Sequence, residues 1–400
     1  MPKERKLEFN STPMDQPREM AYLVLATSIL LLPLAATILR PFMLSGDERN
    51  RSKLWIRHCH ANYVLCVVVV SLWCGIWEFP ISKPPFVLWL APAVSMAAAR
   101  ATRLAISKKV LGTRWTASDS LRIVFWATIS PTVSLLMTAS GIHEISARNL
   151  WGIFWFPVAG ITALIGTVRL RSAQGMKLHR VKSGTLFNRV MHLSKRVGTK
   201  IERVYVVPSG RGDLTNAFAS RRSVGLTDNF GEYLRGTELD SVISHELGHV
   251  QGHHTRKRIL VLACVVAVIS SLSLGVTLAS SPYRAMFMTL SLIAILLVNS
   301  YTSRRYEYAC DQKAAEFTQN PQSVIRALVA LYKKTNSLVT CSRIVELFES
   351  HPSLIHRVEA IAEFSGLPSE KVSELLSHIE PAFGAMPPAS LVAPAPNQSR

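Results

Sequence analysis

The chain has 400 residues, 48% of them hydrophobic, only 18% charged, and a formal net charge of +19. Water-soluble domains carry about 25% charged residues, so the apolar excess must collect in long runs, which excludes an ordinary small soluble domain. The basic surplus fits nucleic acid, an anionic membrane surface or topology-setting loops. No arginine- and aromatic-interleaved stretch offers a single-strand platform, so nucleic acid is set aside.

In chain order, residues 1–19 form an N-terminal extension and a five-span region follows over 20–168. The apolar runs lie at about 20–39, 60–79, 85–101, 121–142 and 149–168, the third being short and interrupted by Pro92. A helix needs about 20 apolar residues to cross a bilayer, and most of these runs qualify. The first starts near Ala21 without a small-residue cleavage site, so it is read as retained. Two further runs, 259–280 and 285–302, are separated only by "SSPYR" and predict a helical hairpin.

Loop charges predict the orientation. One set of loops carries Arg40, Arg49, Arg51, Lys53 and Arg57, then Arg100, Arg103, Lys108, Lys109 and Arg114; the alternate loops carry Lys83, Arg148 and Arg284. With seven spans the basic loops share a side with 169–258 and 303–400, which the excess of cations makes cytoplasmic. Six scattered cysteines, Cys59, Cys66, Cys74, Cys264, Cys310 and Cys341, contain no C-x-x-C pair and read as unpaired thiols.

Residues 169–258 read as mixed α/β. "LFNRVMHLSKRVG" has helical periodicity, and "ERVYVV", "NAFAS" and "RSVGLTD" read as short strands. Thr237 opens a helix with Asp240 placed as a shortened capping box, and that helix contains "SHELGHVQGHH". Residues 303–380 are expected to be mostly helical. The Pro/Ala-rich tail 381–400 is expected to be disordered.

Histidines four apart lie on one helix face, so His245 and His249 can aim ring nitrogens at one zinc ion, with Glu246 placed as general base. Catalytic zinc needs a third protein ligand and an open position for water. The extended pattern H-E-x-x-H-x-x-G-x-x-H fails, because Thr255 occupies its last position. His253 lies too far along a straight helix, and both His253 and His254 are expected near the membrane surface. The remaining candidate is Glu307 in "RRYEYACDQKAAEF", expected at the start of a helix, with Asp311 four residues on as a hydrogen-bond acceptor for a ligand histidine.

H-E-L-G-H, a membrane hairpin and then E-x-x-x-D resembles the integral-membrane zinc metallopeptidases of the HtpX and CAAX prenyl endopeptidase type. The resemblance covers about 184–365, including "VYVVPSGRGDLTNAFAS", "VGLTD", "SHELGHV", "YEYACD" and "HPSLIHRVEAI". It implies that Asn216, Ala217, Phe218 and Ala219 form a substrate-edge strand, and that His351 and Arg357 lie near the tetrahedral intermediate. Pro352 suits a first helical turn, which would make His351 the cap. Five leading spans depart from the simplest HtpX layout of two and do not supply the closed chamber of the CAAX endopeptidase.

The expected fold is therefore an α-helical multi-pass membrane protein with a cytoplasmic α+β zincin-like metalloprotease domain, a small antiparallel sheet plus active-site helices. The expected activity is zinc-dependent endopeptidase cleavage of membrane-associated proteins or peptides, in quality control or processing, with one zinc per chain and the lipid bilayer as environment. The lack of a eukaryotic retention signal points to a bacterial inner membrane. Two rivals stand beside it. A catalytically inactive scaffold or transporter would tolerate loss of a ligand or carry charges within its spans, where Glu78 near one end is the exception. An intramembrane protease would place H-E-x-x-H inside an apolar helix.

Overall fold

A computed structural model describes residues 113–377, apart from 147–148, 176, 211–212, 214, 235, 277–280, 336–338 and 340–342, with a few helical positions between 97 and 105. The first two expected spans, the third apart from residues 97, 100 and 101, the N-terminal extension and the C-terminal tail lie outside the described residues.

Two long helices come first: α1, Ala117–Ser146, and α2, Trp155–Ala173, joined through a 3-10 turn at Leu150–Phe154. They pack against each other, and Ser130 and Ser134 donate hydrogen bonds from α1 to the α2 carbonyls of Thr162 and Ala159. Gly166 makes this approach possible, because a Cβ there would lie 1.9 Å from the Ser130 Oγ. Among the described residues, one helical segment, Leu150–Ala173, is long and apolar enough to cross a membrane.

The mixed unit follows as β1 (His179–Val181), α3 (Thr185–Arg196), β2 (Arg203–Val207), β3 (Ala217–Ser220), β4 (Ser223–Thr227), α4 (Phe230–Tyr233) and α5 (Thr237–Gln251). The sheet order is β1-β2-β4-β3. It is mixed rather than antiparallel: β2 and β4 run parallel, while β1 and β3 flank them antiparallel. The reason is the tight β3–β4 hairpin, turned at Arg221 with φ +49, which tucks β4 against β2 and leaves β3 on the edge.

Val204, Val224 and Leu226 of the sheet, Val190 and Leu193 of α3, and Ile243, Leu247 and Val250 of α5 form one apolar cluster. The α5 residues recur at four- and three-residue spacing, so one stripe of that helix is fixed on the sheet. Burying each large aliphatic side chain stabilises the unit by about 1.5–3 kcal/mol. The start of α5 differs from expectation. Gly236, with φ +57, stands at the N-cap without a side-chain cap bond, and Asp240 is turned to an ion pair with Arg189 of α3.

The chain then makes α6 (His254–Val276), α7 (Ser281–Thr318), α8 (Pro321–Thr335), α9 (Arg343–Glu346), α10 (Leu354–Ser365) and α11 (Ser369–Ser377). Helices α6 and α7 pack on each other as a hairpin. Glu307 does not open a new helix; it lies inside α7, which runs unbroken for 38 residues, roughly 57 Å. A second apolar cluster joins Ile325 and Leu328 of α8 to Leu354, Val358 and Ile361 of α10 and to Val372 of α11. Helix α10 begins one residue after Ser353, so His351 is not its cap.

Candidate active site

The geometry starts from two crossing helices. Helix α5 packs tightly on α7 at Gly248, where a Cβ would stand 3.3 Å from the Cys310 Sγ and 3.4 Å from the Cys310 Cα. With the α5 apolar stripe held on the sheet, the four-residue pair His245 and His249 is presented toward Glu307 on α7. The two Nε2 atoms are 3.2 Å apart, with Glu307 oxygens 3.6 Å from His245 Nε2 and 3.5 Å from His249 Nε2.

Three donors at roughly 2.0–2.2 Å from a tetrahedral ion stand roughly 3.3–3.6 Å from one another, so the arrangement fits one metal ion. The chemistry of the donor set agrees. His245 Nδ1 lies 2.9 Å from Asp311 Oδ1, which fixes the ring proton there and leaves Nε2 as a lone pair facing a second imidazole nitrogen and a carboxylate. Such a cluster of acceptors calls for a cation.

Asp311 sits one turn beyond Glu307 and is buried. Arg357 of α10 donates to it through Nε and Nη2, both at 2.7 Å. Burial works to raise the Asp311 carboxyl, but the guanidinium outweighs it and holds the group below its ordinary value. The Glu307 carboxyl is likewise raised by burial but held well below its usual range by His249, His351 and Arg357. Arg357 is buried, with Nη1 3.4 Å from Glu307, so its donors are occupied by carboxylates rather than solvated. His351 Nδ1 reaches Glu307 at 3.1 Å, while its side chain stays 63% exposed.

Glu246 is buried, and that burial raises its carboxyl to about 7 against the opposing pull of His245. Every site residue named from the sequence lines one cavity of about 1380 Å³: Asn216, Ala217, Phe218, Ala219, His245, Glu246, His249, Glu307, Asp311, His351 and Arg357. Strand β3 forms one wall as an exposed sheet edge, with Ala217, Phe218 and Ala219 half-buried. Val324, Leu328 and Leu331 of α8 add an apolar wall.

Sequence reasoning missed one element. His254 is buried rather than placed at a membrane surface, and its Nδ1 lies 3.3 Å from His249 Nδ1 and 3.3 Å from Cys310 Sγ. Burial lowers this imidazole to about 4. Gly252 could have signalled it, since the missing side chain leaves room there for a ring, a Cβ standing 2.2 Å from His254 Nε2.

A histidine pair and a glutamate from a separate helix, with a second glutamate beside them over an edge strand, define a metallopeptidase. Residues 181–365 match the model of Peptidase family M48. The Protease HtpX homolog of Salinibacter ruber is 24% identical over 287 residues, covering 63% of this chain and 98% of that protein. The Protease HtpX homolog of Trichormus variabilis is 26% identical over 278 residues, covering 58% and 94%. The crystal structure of S. mikatae Ste24p shares the fold, with a TM-score of 0.55 at 16% identity over 86% of this chain and 96% of that one. The chain is a metalloprotease: its residues 181–365 match peptidase family M48, and proteins named Protease HtpX homolog are among its relatives.

Proposed function

We propose that the protein is a membrane-embedded zinc endopeptidase that hydrolyses peptide bonds of membrane-associated proteins at the cytoplasmic face. The observation that carries this reading is the convergence of His245, His249 and Glu307 within 4.8 Å of one another, with Glu246 lining the same cavity. His245, His249 and Glu307 would hold one zinc ion, which would supply Lewis acidity and lower the pKa of the attacking water. Glu246 takes the proton of the attacking water and hands it to the leaving amine. The β3 edge, Asn216 to Ala219, pairs with an extended peptide through backbone hydrogen bonds and lays it along the cavity. His351, exposed at the rim, donates to the carbonyl oxygen as charge develops. Arg357 acts through Asp311 and Glu307, which occupy its donors.

The membrane reading rests on sequence and on exposed apolar surface. Trp151, Ile161, Leu164 and Val168 of the 150–173 segment and Ile259, Leu260 and Val268 of α6 are all exposed. Such surface on these two helical segments suits lipid rather than water. With the seven spans of the charge pattern, the domains fall as 1–19, 20–168, 169–258, 259–302, 303–380 and 381–400, and the catalytic cavity lies next to the bilayer because α5 and α7 both lead into the hairpin. We extend the proposal to a bacterial inner membrane and to a role in quality control or processing. The test is Glu246→Gln in the full-length protein: zinc is retained and cleavage of an unfolded protein substrate is lost. Cleavage by that variant at the rate of the unaltered protein would refute the mechanism.

A further inference from the structure

We propose that His254 is a positioning residue for His249: its Nδ1 accepts the His249 Nδ1–H and so turns the His249 Nε2 lone pair toward His245 and Glu307. The inference rests on the ligand set proposed above. Both ligand histidines present Nε2 to the same point, 3.2 Å apart, so both must carry their protons on Nδ1. His245 donates its Nδ1–H to the Asp311 carboxylate. His249 needs a matching acceptor, and the His254 nitrogen 3.3 Å away is placed to be one. A hydrogen bond on the second ring nitrogen sets the tautomer and the ring orientation of a ligand histidine.

Local structure is shaped to bring His254 there. Helix α5 stops at Gln251, and His253 takes φ +52, a left-handed conformation that a non-glycine residue adopts only when its surroundings enforce it. The chain thereby turns out of the motif helix and places the His254 ring against His249, Cys310 and Tyr306. Gly252 leaves the room, because a Cβ there would stand 2.2 Å from His254 Nε2. The Tyr306 ring, one residue before Glu307, stacks on the imidazole at 4.2 Å between centroids and 3° between planes. The Cys310 Sγ, 3.3 Å from the same Nδ1, brings a second weak donor to that lone pair.

The test measures zinc affinity of the full-length protein in detergent by competition with a chromophoric chelator, beside kcat/KM at saturating zinc. His254→Phe keeps a ring to stack on Tyr306 but has no acceptor, and should weaken zinc binding about 10–100-fold. His254→Asn keeps an acceptor and should stay within about threefold of the unaltered protein, below the loss typical of a removed ligand partner. Glu307→Gln serves as control for the ligand set. If it loses zinc while His254→Phe binds as tightly as the unaltered protein, the positioning role is overturned and the ligand set stands. Equal losses in His254→Phe and His254→Asn would also overturn it, as would a second zinc per chain that disappears with His254. Unchanged zinc affinity in Glu307→Gln would overturn the ligand set and this inference with it.

Discussion

The Arg357 guanidinium clasps Asp311 through two parallel 2.7 Å hydrogen bonds, and the same Asp311 lies 2.9 Å from the far nitrogen of His245. One buried ion pair thus connects α10, α7 and the metal-facing histidine of α5. A bidentate pair of this kind sets geometry as well as charge.

Breaking the clasp should separate stability from metal binding. Arg357→Met strands a buried carboxylate and should destabilise the protein by about 3–5 kcal/mol. Adding Asp311→Asn removes the stranded charge and should recover part of that loss in thermal melts. Zinc affinity, read by chelator competition, should stay about 10–100-fold down in both variants, because the acceptor for His245 is displaced or weakened.

Glu246 predicts a pH dependence of the metal-free protein. Burial lifts its carboxyl from an ordinary 4.5 to about 7, so folding favours the protonated form. The associated stability is complete below the ordinary value and is lost as pH rises toward 7. Across that window the shift corresponds to about 3 kcal/mol. Chelator-treated protein should therefore lose thermal midpoint between pH 5 and pH 8, and Glu246→Gln should flatten that slope. Restoring zinc should reduce it too, since a nearby cation favours the carboxylate.

The site was legible where spacing alone fixes geometry. His245 and His249 share a face because a helix repeats every 3.6 residues, and Glu307 with Asp311 repeats the same four-residue logic on a second helix. The crossing itself was not readable from periodicity, because it depends on Gly248 meeting Cys310, a contact between distant segments. Asp240 looked like a cap from local sequence, yet Arg189 claims it through tertiary packing. The parallel β2–β4 pairing was missed for a similar reason: alternation reveals strands but not their order. His254 was hidden by the assumption of a straight helix, which His253 breaks.

The edge strand makes a specific prediction through Gly225. Its Cβ position lies 2.2 Å from the Phe218 ring across the β3–β4 pair, so Gly225→Ala must push that ring away. Overpacking of this kind costs about 1–3 kcal/mol. The variant should raise KM for a peptide substrate more than it lowers kcat. In a Phe218→Ala background the same substitution should have little further effect, measured as a double-mutant cycle.

The membrane reading is tested at Cys264, an exposed free thiol on α6 within the proposed 259–280 span. In a variant retaining it as the single cysteine, a charged, membrane-impermeant maleimide should leave Cys264 unlabelled in intact vesicles and label it after detergent solubilisation. Rapid labelling in sealed and opened vesicles alike would place α6 in water.

The central claim is that His245, His249 and Glu307 hold one catalytic zinc. Elemental analysis of purified protein, unaltered and carrying Glu307→Gln, tests it most directly. The account predicts one zinc per chain in the first, and in the second a loss of zinc together with peptide cleavage. A Glu307→Gln protein that keeps stoichiometric zinc and full activity would contradict it.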